Sequence, residues 1–271
     1  SKLIIMDGKN LVENKLTDSH WFIECMERGA KIVVIAPEYG PPSTKADYWI
    51  PIRPGTDAAL WLGVTRLMIE QKWYDEAFIK GFTDFPLLIR TDTLKRLRAH
   101  EVFPNYRSPL APDGPSMRIQ GFTPAQHAKL GDYVIWDEKA KAPRALTRDD
   151  VGATMGKKGL APALAGTFRV KLLDGKEVEV ATLWTLYQTH LKDYDLDTVA
   201  EITHAPKEMI RQLAQDIGTM KPVAIHQGEG INHWFHATEM NRASYLPLML
   251  TGNIGKPGAG CHTWAGNYKA A

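Results

Sequence analysis

Short apolar runs alternate with helical patterns through the first part of the chain. Residues 3–6, 31–35 and 48–52 form apolar runs of the length expected for buried strands. Apolar side chains recur at helical spacing over residues 18–28, and Thr56 stands where a helix cap is expected after the third run. This alternation predicts an α/β fold: a doubly wound, mostly parallel sheet in a Rossmann-like three-layer αβα arrangement.

The middle of the chain has a different character. From about residue 83 the sequence becomes irregular and polar, with prolines at positions 86, 104, 109, 112 and 115. Alternating runs at 168–172 and 177–180 flank Asp174-Gly175, which is a strong hairpin signal. Residues 133–136 have the pattern of another strand.

After this insertion the α/β pattern returns. Periodicity predicts helices over residues 182–191, 207–217 and 237–250, and a core strand over 222–226. We therefore expect three parts: residues 1–83 as the first part of the αβα domain, 84–199 as a loop- and hairpin-rich insertion, and 200–271 as the return to the domain with a glycine-rich tail.

Composition excludes several classes of protein. The 33 basic and 31 acidic side chains give a net charge of +2, so we expect no nucleic-acid partner. We expect no membrane span, because apolar runs fall short of the roughly 18 residues that a spanning helix needs, and no signal peptide at the start. Cys25 and Cys261 are too few for a disulfide scaffold or an all-cysteine metal cluster.

Polar residues follow the predicted strands. Gly8 and Asn10 come after the first strand, Glu38 after the second and Asp57 after the third. The carboxyl ends of parallel strands bind ligands in open α/β sheets, so these residues are candidates for a ligand crevice. Each also has a structural interpretation: a tight turn for Gly8 and Asn10, an exposed carboxylate for Glu38, and complementation of the helix dipole for Asp57.

Other familiar sites lack their usual signals. The glycines do not form the Gly-x-Gly-x-x-Gly pattern, which disfavours an ordinary NAD or FAD site. His233 and His236 are three residues apart, but Glu239 does not complete a His-Glu-x-x-His motif, so we expect no protein-bound metal. The four tail glycines at 252, 255, 258 and 260 indicate close backbone approach to a cofactor or to neighbouring protein.

Three ordered segments resemble a known family. Gly8-Lys9-Asn10, residues 45–60 with the motif Pro54-Gly55-Thr56-Asp57, and residues 250–260 resemble the molybdopterin oxidoreductases of the dimethyl sulfoxide reductase type. Residues 10–20, 37–39 and 228–234 are most similar to the branch that holds the catalytic (alpha) subunits of respiratory nitrate reductase and nitrite oxidoreductase, and more to the latter.

The resemblance implies a molybdenum bis-molybdopterin guanine dinucleotide cofactor and a role for particular residues. Gly8 and Asn10 would lie at its phosphate and pterin side, and Asp57, in one motif with Arg53 and Gly55, at a guanine. Many relatives have a ribose-binding aspartate where this chain has Ala36, and either Glu38 or backbone groups would replace it. The loop residues that would face the pterin and the substrate funnel are Gly228, Gly230, Asn232 and His233.

The resemblance also implies a larger enzyme of which this chain is an internal fragment, inactive alone. The ligands of a [4Fe-4S] cluster and of molybdenum are expected upstream of Ser1. The intact enzyme would transfer oxygen between nitrite and nitrate in a membrane-associated complex facing cytoplasm or periplasm. Its partners would be an iron–sulfur electron-transfer subunit, a haem subunit and a small oxyanion substrate.

Two alternatives belong to other classes. The first is a non-catalytic nucleotide-binding or scaffold module with the same fold. The second is an ordinary NAD-dependent enzyme, against which the missing phosphate-binding fingerprint counts.

Overall fold

The computed structural model describes residues 1–108 and 132–263. Pro109, Pro112 and Pro115 of the proline-containing segment lie outside these ranges. The chain forms two compact units, Ser1–Asp75 with the chain from Leu191 onward, and Glu76–His190.

Strands and helices are numbered here in chain order. The strands are β1 (Leu3–Asp7), β2 (Lys31–Ala36), β3 (Tyr48–Pro51), β4 (Leu88–Arg90), β5 (Tyr133–Asp137), β6 (Ala142–Leu146), β7 (Thr167–Lys171), β8 (Glu177–Thr182), β9 (Val223–Gln227) and β10 (Gly260–His262). The helices are α1 (Leu16–Glu27), α2 (Asp57–Glu70), α3 (Glu76–Phe82), α4 (Ala99–Val102), α5 (Ala153–Lys157), α6 (Leu183–His190), α7 (Leu196–Thr203), α8 (Lys207–Thr219) and α9 (Ala237–Thr251). Short 3₁₀ turns span Pro41–Lys45, Leu191–Asp193 and Glu229–Ile231.

A five-stranded parallel sheet forms the centre of the first unit, in the order β10-β9-β1-β2-β3. Its middle strand, β1, is buried along its whole length, as expected for a parallel strand covered on both faces. Asp7 pairs with Ile35 of β2 on one side and with Gln227 of β9 on the other. The predicted doubly wound α/β fold is confirmed.

The two faces of this sheet carry different helices. Side chains alternate along a strand, so Ile4 and Met6 share one face, where they pack with Phe22 of α1. Asp7 lies on the opposite face, where Trp61 of α2 donates a hydrogen bond to it. On that face α2 packs against α9.

The glycine-rich tail contains a strand that the sequence did not predict. Residues 260–262 form β10, which pairs in parallel with β9. Gly252, Gly255, Gly258 and Gly260 all have positive φ, and a Cβ added at Gly255 or Gly260 would meet no atom within 4 Å. At those two positions the left-handed backbone is by itself a reason for glycine, and no protein atom approaches closely.

One predicted helix cap is also wrong in detail. Thr56 does precede α2, but its hydroxyl makes no capping bond to the helix. It donates instead to the carbonyl oxygen of Arg53 at 2.6 Å, which fixes the turn that leads into the helix.

The second unit contains antiparallel strands. β4, β8 and β7 form a three-stranded sheet, and β5 pairs with β6. The predicted hairpin around Asp174-Gly175 is confirmed, with Val170 opposite Val178. One apolar cluster joins the strands of this unit; it includes Leu88, Leu97, Ala99, Val134, Val170, Leu172, Val178 and Val180.

Packing of α2 against α7 supplies a test of the fold. A Cβ at Gly63 would lie 2.6 Å from Cγ2 of Val199, and Val199 is fully buried. We expect Gly63→Ala to lower the free energy of unfolding by about 1–3 kcal/mol through overpacking, despite the better helix propensity of alanine. Urea unfolding monitored by circular dichroism measures this change.

Two controls separate overpacking from a general effect of alanine. Gly156 lies in α5 with no atom within 4 Å of its added Cβ, so Gly156→Ala should stabilise by about 0.5–1 kcal/mol. In a Val199→Ala background the cost of Gly63→Ala should shrink. An unchanged cost there would contradict this packing.

Candidate functional site

Strand-end turns meet at the carboxyl edge of the parallel sheet. Gly228, directly after β9, donates its backbone N–H to the carbonyl oxygen of Asp7 at 2.9 Å. Gly230 donates in the same way to Gly8 at 3.0 Å. The loop after β9 is therefore joined to the turn after β1, at the edge where such sheets bind ligands.

The glycines of this junction permit close backbone packing. A Cβ at Gly228 would lie 2.3 Å from the Gly8 carbonyl oxygen, and one at Gly230 would lie 2.7 Å from the same atom. Gly8 itself has a φ of +57°. Larger residues would push the loop away from the turn, so these glycines are required by the fold of the rim itself.

Two other predicted residues make local contacts within this rim. Asn10 accepts a hydrogen bond from the backbone N–H of Glu13 at 3.0 Å, which closes a turn before α1. Asn232 accepts one from Nδ2 of Asn241 at 2.6 Å, which ties the loop to α9. Both side chains therefore stabilise the turns that frame the edge.

The remaining predicted residues lie around the same edge. Glu38 and Arg53 are exposed after β2 and β3. Gly55 has positive φ, and its added Cβ would lie 3.5 Å from the Trp234 ring. His233 is exposed, with Nε2 3.9 Å from a carboxylate oxygen of Glu229.

His233 and His236 do not share a helical face. Both precede α9, and His236 adopts a left-handed backbone conformation just before the helix begins. Within residues 1–108 and 132–263, no group of three His, Cys, Asp or Glu side chains is arranged to hold a metal ion.

Two buried carboxyl groups lie where β1 ends and α2 begins. Asp57 opens α2 with 5% of its surface exposed, and Asp7 at the end of β1 is fully buried. Oδ2 of Asp7 accepts a hydrogen bond from Nε1 of Trp61 at 2.8 Å. Burial and the nearby Asp57 charge raise the pKa of Asp7 well above its ordinary value, and burial also raises the pKa of Asp57.

Asp7 is the residue that our sequence analysis missed. It directly follows the apolar run at residues 3–6. From this position we predicted the end of a strand and assigned Asp7 no role in the site. A signal was present: in a strand buried on both faces, a terminal carboxylate is costly unless it has a partner. The hydrogen-bond partner in the structure, Trp61, is 54 residues away in sequence, and local sequence patterns do not connect the two.

A polar cluster continues from this pair toward the edge strand. Gln227, which pairs with Asp7, donates through Nε2 to Oγ of Ser244 and to the carbonyl oxygen of Asn241. Cys261 of β10 lies near both Asp7 and Tyr245, and burial raises its thiol pKa to about 12. The thiol is therefore neutral at physiological pH.

A second feature lies on the α1 face of the sheet. His226 and His262 stack with ring centroids 4.8 Å apart. With Lys9 they line a cavity of about 340 Å³. Burial, the neighbouring His262 and Lys9 lower the pKa of His226 to about 3, so this ring is neutral at physiological pH.

Comparison with protein families identifies the family to which this chain belongs. The family model described as "Molybdopterin oxidoreductase" matches residues 1–269. The chain belongs to the molybdopterin oxidoreductase family. The family assignment made from the Gly8, Gly55-Thr56-Asp57 and Gly252 segments is thereby confirmed, and it connects the chain to proteins that use a molybdenum–pterin cofactor.

Two curated relatives match nearly the whole chain. The perchlorate reductase alpha subunit of Dechloromonas aromatica is 32% identical over 99% of this chain and 29% of its own length. The respiratory nitrate reductase alpha subunit of Haloferax mediterranei is 31% identical over 98% of this chain and 26% of its own length. The chain thus spans less than a third of these relatives.

A solved structure shares the fold. Acetylene hydratase from Pelobacter acetylenicus superposes with a TM-score of 0.54 at 19% identity, covering 96% of this chain and 22% of that protein. This similarity supports the α/β architecture and carries no information about the reaction of this chain.

The buried histidine gives a test of the electrostatics. Because folding lowers the pKa of His226 from 6.5 to about 3, the unfolded chain binds more protons between these values. Stability should therefore fall as the pH drops below about 6.5. His226→Gln should flatten this dependence of the urea midpoint between pH 7 and pH 5.

The matched control uses an exposed histidine. His233→Gln should keep the wild-type slope, because the His233 ring lies on the surface. Equal slopes for wild type and His226→Gln would show that His226 is not held neutral by its surroundings.

Proposed function

We propose that this chain is the nucleotide-binding part of the catalytic subunit of a molybdenum bis-molybdopterin guanine dinucleotide oxidoreductase. In this proposal the carboxylate of Asp57 accepts the N1–H and N2–H₂ hydrogen bonds of a guanine. The position of Asp57 carries the proposal, since it is a buried carboxyl group beside a ligand-binding sheet edge in a chain of this family.

The surroundings of Asp57 suit binding of a neutral hydrogen-bond donor. Burial raises the pKa of Asp57, and a hydrogen bond from its own backbone N–H lowers it. A carboxylate at the N-terminus of a helix is favoured by the helix dipole. An ionised carboxylate offers two acceptor oxygens, which suits the two donors of a guanine Watson–Crick edge.

The other candidate residues have supporting roles in this proposal. Gly8 and Asn10 would lie beside the phosphate and pterin portion, Arg53 and Gly55 beside the nucleotide, and Glu38 near a ribose. The loop carrying Gly228, Gly230, Asn232 and His233 would border the pterin and the substrate path. When bound, the molybdenum–pterin group supplies two-electron redox chemistry, and these residues bind and orient it.

For the intact enzyme we propose oxygen-atom transfer between nitrite and nitrate. The named relatives reduce perchlorate and nitrate, so small oxyanions are the substrate class that the comparisons favour. Chlorate reductase of Ideonella dechloratans is 27% identical over 96% of this chain and extends this pattern. Nitrite oxidation is the more specific expectation from the loop sequences of this chain.

The proposed partners follow from the relatives being named alpha subunits. We propose an iron–sulfur subunit that takes up the electrons, and a haem subunit, in a membrane-associated complex. A [4Fe-4S] cluster would be ligated elsewhere in the catalytic subunit. No helix in residues 1–108 and 132–263 has the length and apolar character needed to cross a bilayer.

Nucleotide binding by the full-length, cofactor-free protein tests the guanine contact. We expect binding of GDP over IDP and ADP, because IDP lacks the N2 amino group and ADP lacks both donors. Asp57→Asn should weaken GDP binding by about 5- to 150-fold, the range for a lost bidentate base contact, and should abolish the preference over IDP. Isothermal titration calorimetry measures both.

A change at the other end of α2 provides the control. Glu70→Gln removes a carboxylate that pairs with Arg66 and should leave GDP affinity unchanged. Equal GDP and IDP affinities for the wild type would contradict the guanine contact. Purified full-length protein without molybdenum or guanine nucleotide would instead favour a non-catalytic module with this fold.

A further inference from the structure

The cavity on the α1 face of the sheet is separate from the crevice at Asp57. His226 pairs with Met6 in the parallel register, and Met6 packs on the α1 face. Paired residues of neighbouring strands point to the same face, so the side chain of His226 lies on the α1 face as well. His262 pairs with His226 and shares that face. The sheet therefore lies between these histidines and helix α2, which begins with Asp57.

The lining of this cavity is apolar in part and large enough for a ligand. Ile4, Leu11 and Phe22 line it with buried side chains, and Trp21 of α1 lines it with 64% of its surface exposed. At roughly 30 Å³ per water, its volume of about 340 Å³ holds about ten waters, or a small ion with bridging waters. Apolar walls with a few polar groups are typical of ligand sites.

Three basic side chains line the same cavity: Lys9, His226 and His262. The two imidazole rings stack with centroids 4.8 Å apart and an interplanar angle of 26°. Within residues 1–108 and 132–263, none of the three side chains makes a hydrogen bond or an ion pair. Their N–H donors, three on an ammonium group and one on each neutral imidazole, are therefore not used by the described part of the chain.

The charges of these groups favour an anion of low charge. Burial lowers the pKa of Lys9, as expected for an ammonium group without a counter-ion in contact. Burial and Lys9 lower the pKa values of His226 and His262, so both rings are neutral at physiological pH. One ammonium group balances a monovalent anion. A divalent anion would lose more hydration free energy, because the desolvation cost grows with the square of the charge.

We propose that this cavity binds a small monovalent oxyanion, with the ammonium group of Lys9 supplying the charge and the stacked rings of His226 and His262 supplying N–H donors. Their position in one cavity carries this inference, since the three side chains come from the turn after β1, from β9 and from β10. Nitrate, nitrite and perchlorate belong to this chemical class.

The choice of nitrate as the natural ligand rests on the proposed function, in which small oxyanions are the substrates. The anion site itself does not, because it depends on the cavity and its basic groups. In the intact enzyme such a site would hold substrate or product on the face of the sheet opposite to α2.

The proposal predicts a dependence on pH. The titratable groups that line the cavity come from every element around it; besides Lys9 they are Asp18 and Cys25 of α1, His226 of β9 and His262 of β10. A bound anion favours the imidazolium form, first at His262, which is the more exposed ring. Nitrate affinity should therefore rise as the pH falls from 8 to 6, by at most about tenfold per pH unit for one proton.

Calorimetric titration of the full-length, cofactor-free protein tests the site, because no molybdenum is then present to bind nitrate. At constant ionic strength, nitrate and perchlorate should bind more tightly than sulfate. Lys9→Gln should weaken nitrate binding about tenfold or more, as expected for a lost charged hydrogen bond. Lys192 is exposed on a 3₁₀ turn and does not line the cavity, so Lys192→Gln should leave nitrate affinity unchanged.

Two substitutions at His262 separate the hydrogen bond from the proton. His262→Phe keeps a ring for stacking but removes the donor, so nitrate should bind about tenfold more weakly. His262→Gln keeps a donor, so affinity at pH 8 should stay within about threefold of wild type, and its increase toward pH 6 should be lost. Titrations in buffers of different ionisation enthalpy should show proton uptake by the wild type and little by His262→Gln.

Anomalous diffraction from crystals soaked with perrhenate, a heavy monovalent oxyanion, locates the ligand. We expect a peak between Lys9 and the histidine pair. A peak elsewhere, sulfate binding as tight as that of nitrate, or unchanged nitrate affinity in Lys9→Gln would each overturn the inference. Failure of the proposed function is distinguishable, because equal affinities for GDP and IDP would refute the guanine contact while nitrate binding still depended on Lys9.

Discussion

Parallel pairing of β1 with both β2 and β9 determines where the turns that follow these strands lie. Asp7 pairs simultaneously with Ile35 and with Gln227, residues far apart in the sequence. Because all strands of this sheet run in one direction, the segments that follow them emerge at one edge. The backbone bonds from Gly228 to Asp7 and from Gly230 to Gly8 extend this pairing past the strand ends and join the turns into one rim.

Much of the fold could be predicted from sequence because its signals are local. The continuous apolar run at 31–35 and the hairpin around Asp174-Gly175 each carry their own pattern, and both elements form as expected. The edge strand β10 was missed because Gly260, Cys261 and His262 have no strand pattern; their conformation comes from pairing with β9. The hydroxyl of Thr56 was misassigned because a competing acceptor, the Arg53 carbonyl oxygen, lies within the preceding turn.

The site was less predictable, since its chemistry arises from contacts across long sequence separations. Asp57 was singled out by its motif, but its neighbour Asp7 looked like the polar end of a strand. Gly228 and Gly230 were predicted to lie near a ligand, and the structure adds a second reason for glycine, because the Gly8 carbonyl oxygen leaves no space for a side chain there. A sequence pattern can indicate that a position needs glycine. Which neighbouring atom excludes a larger side chain is seen once the fold is known.

The buried carboxyl pair shows how a binding edge can be built at a cost to stability. An apolar residue at position 7 would avoid the desolvation of a carboxyl group, and replacing buried charges by apolar groups is often stabilising. The fold instead satisfies one oxygen of Asp7 with Trp61, in the same helix that begins at Asp57. Helix α2 thus supplies the donor that holds Asp7 and begins with the second buried carboxyl group, that of Asp57. Because Asp57 and Trp61 belong to one helix, secondary structure rather than a flexible loop fixes the spacing between them.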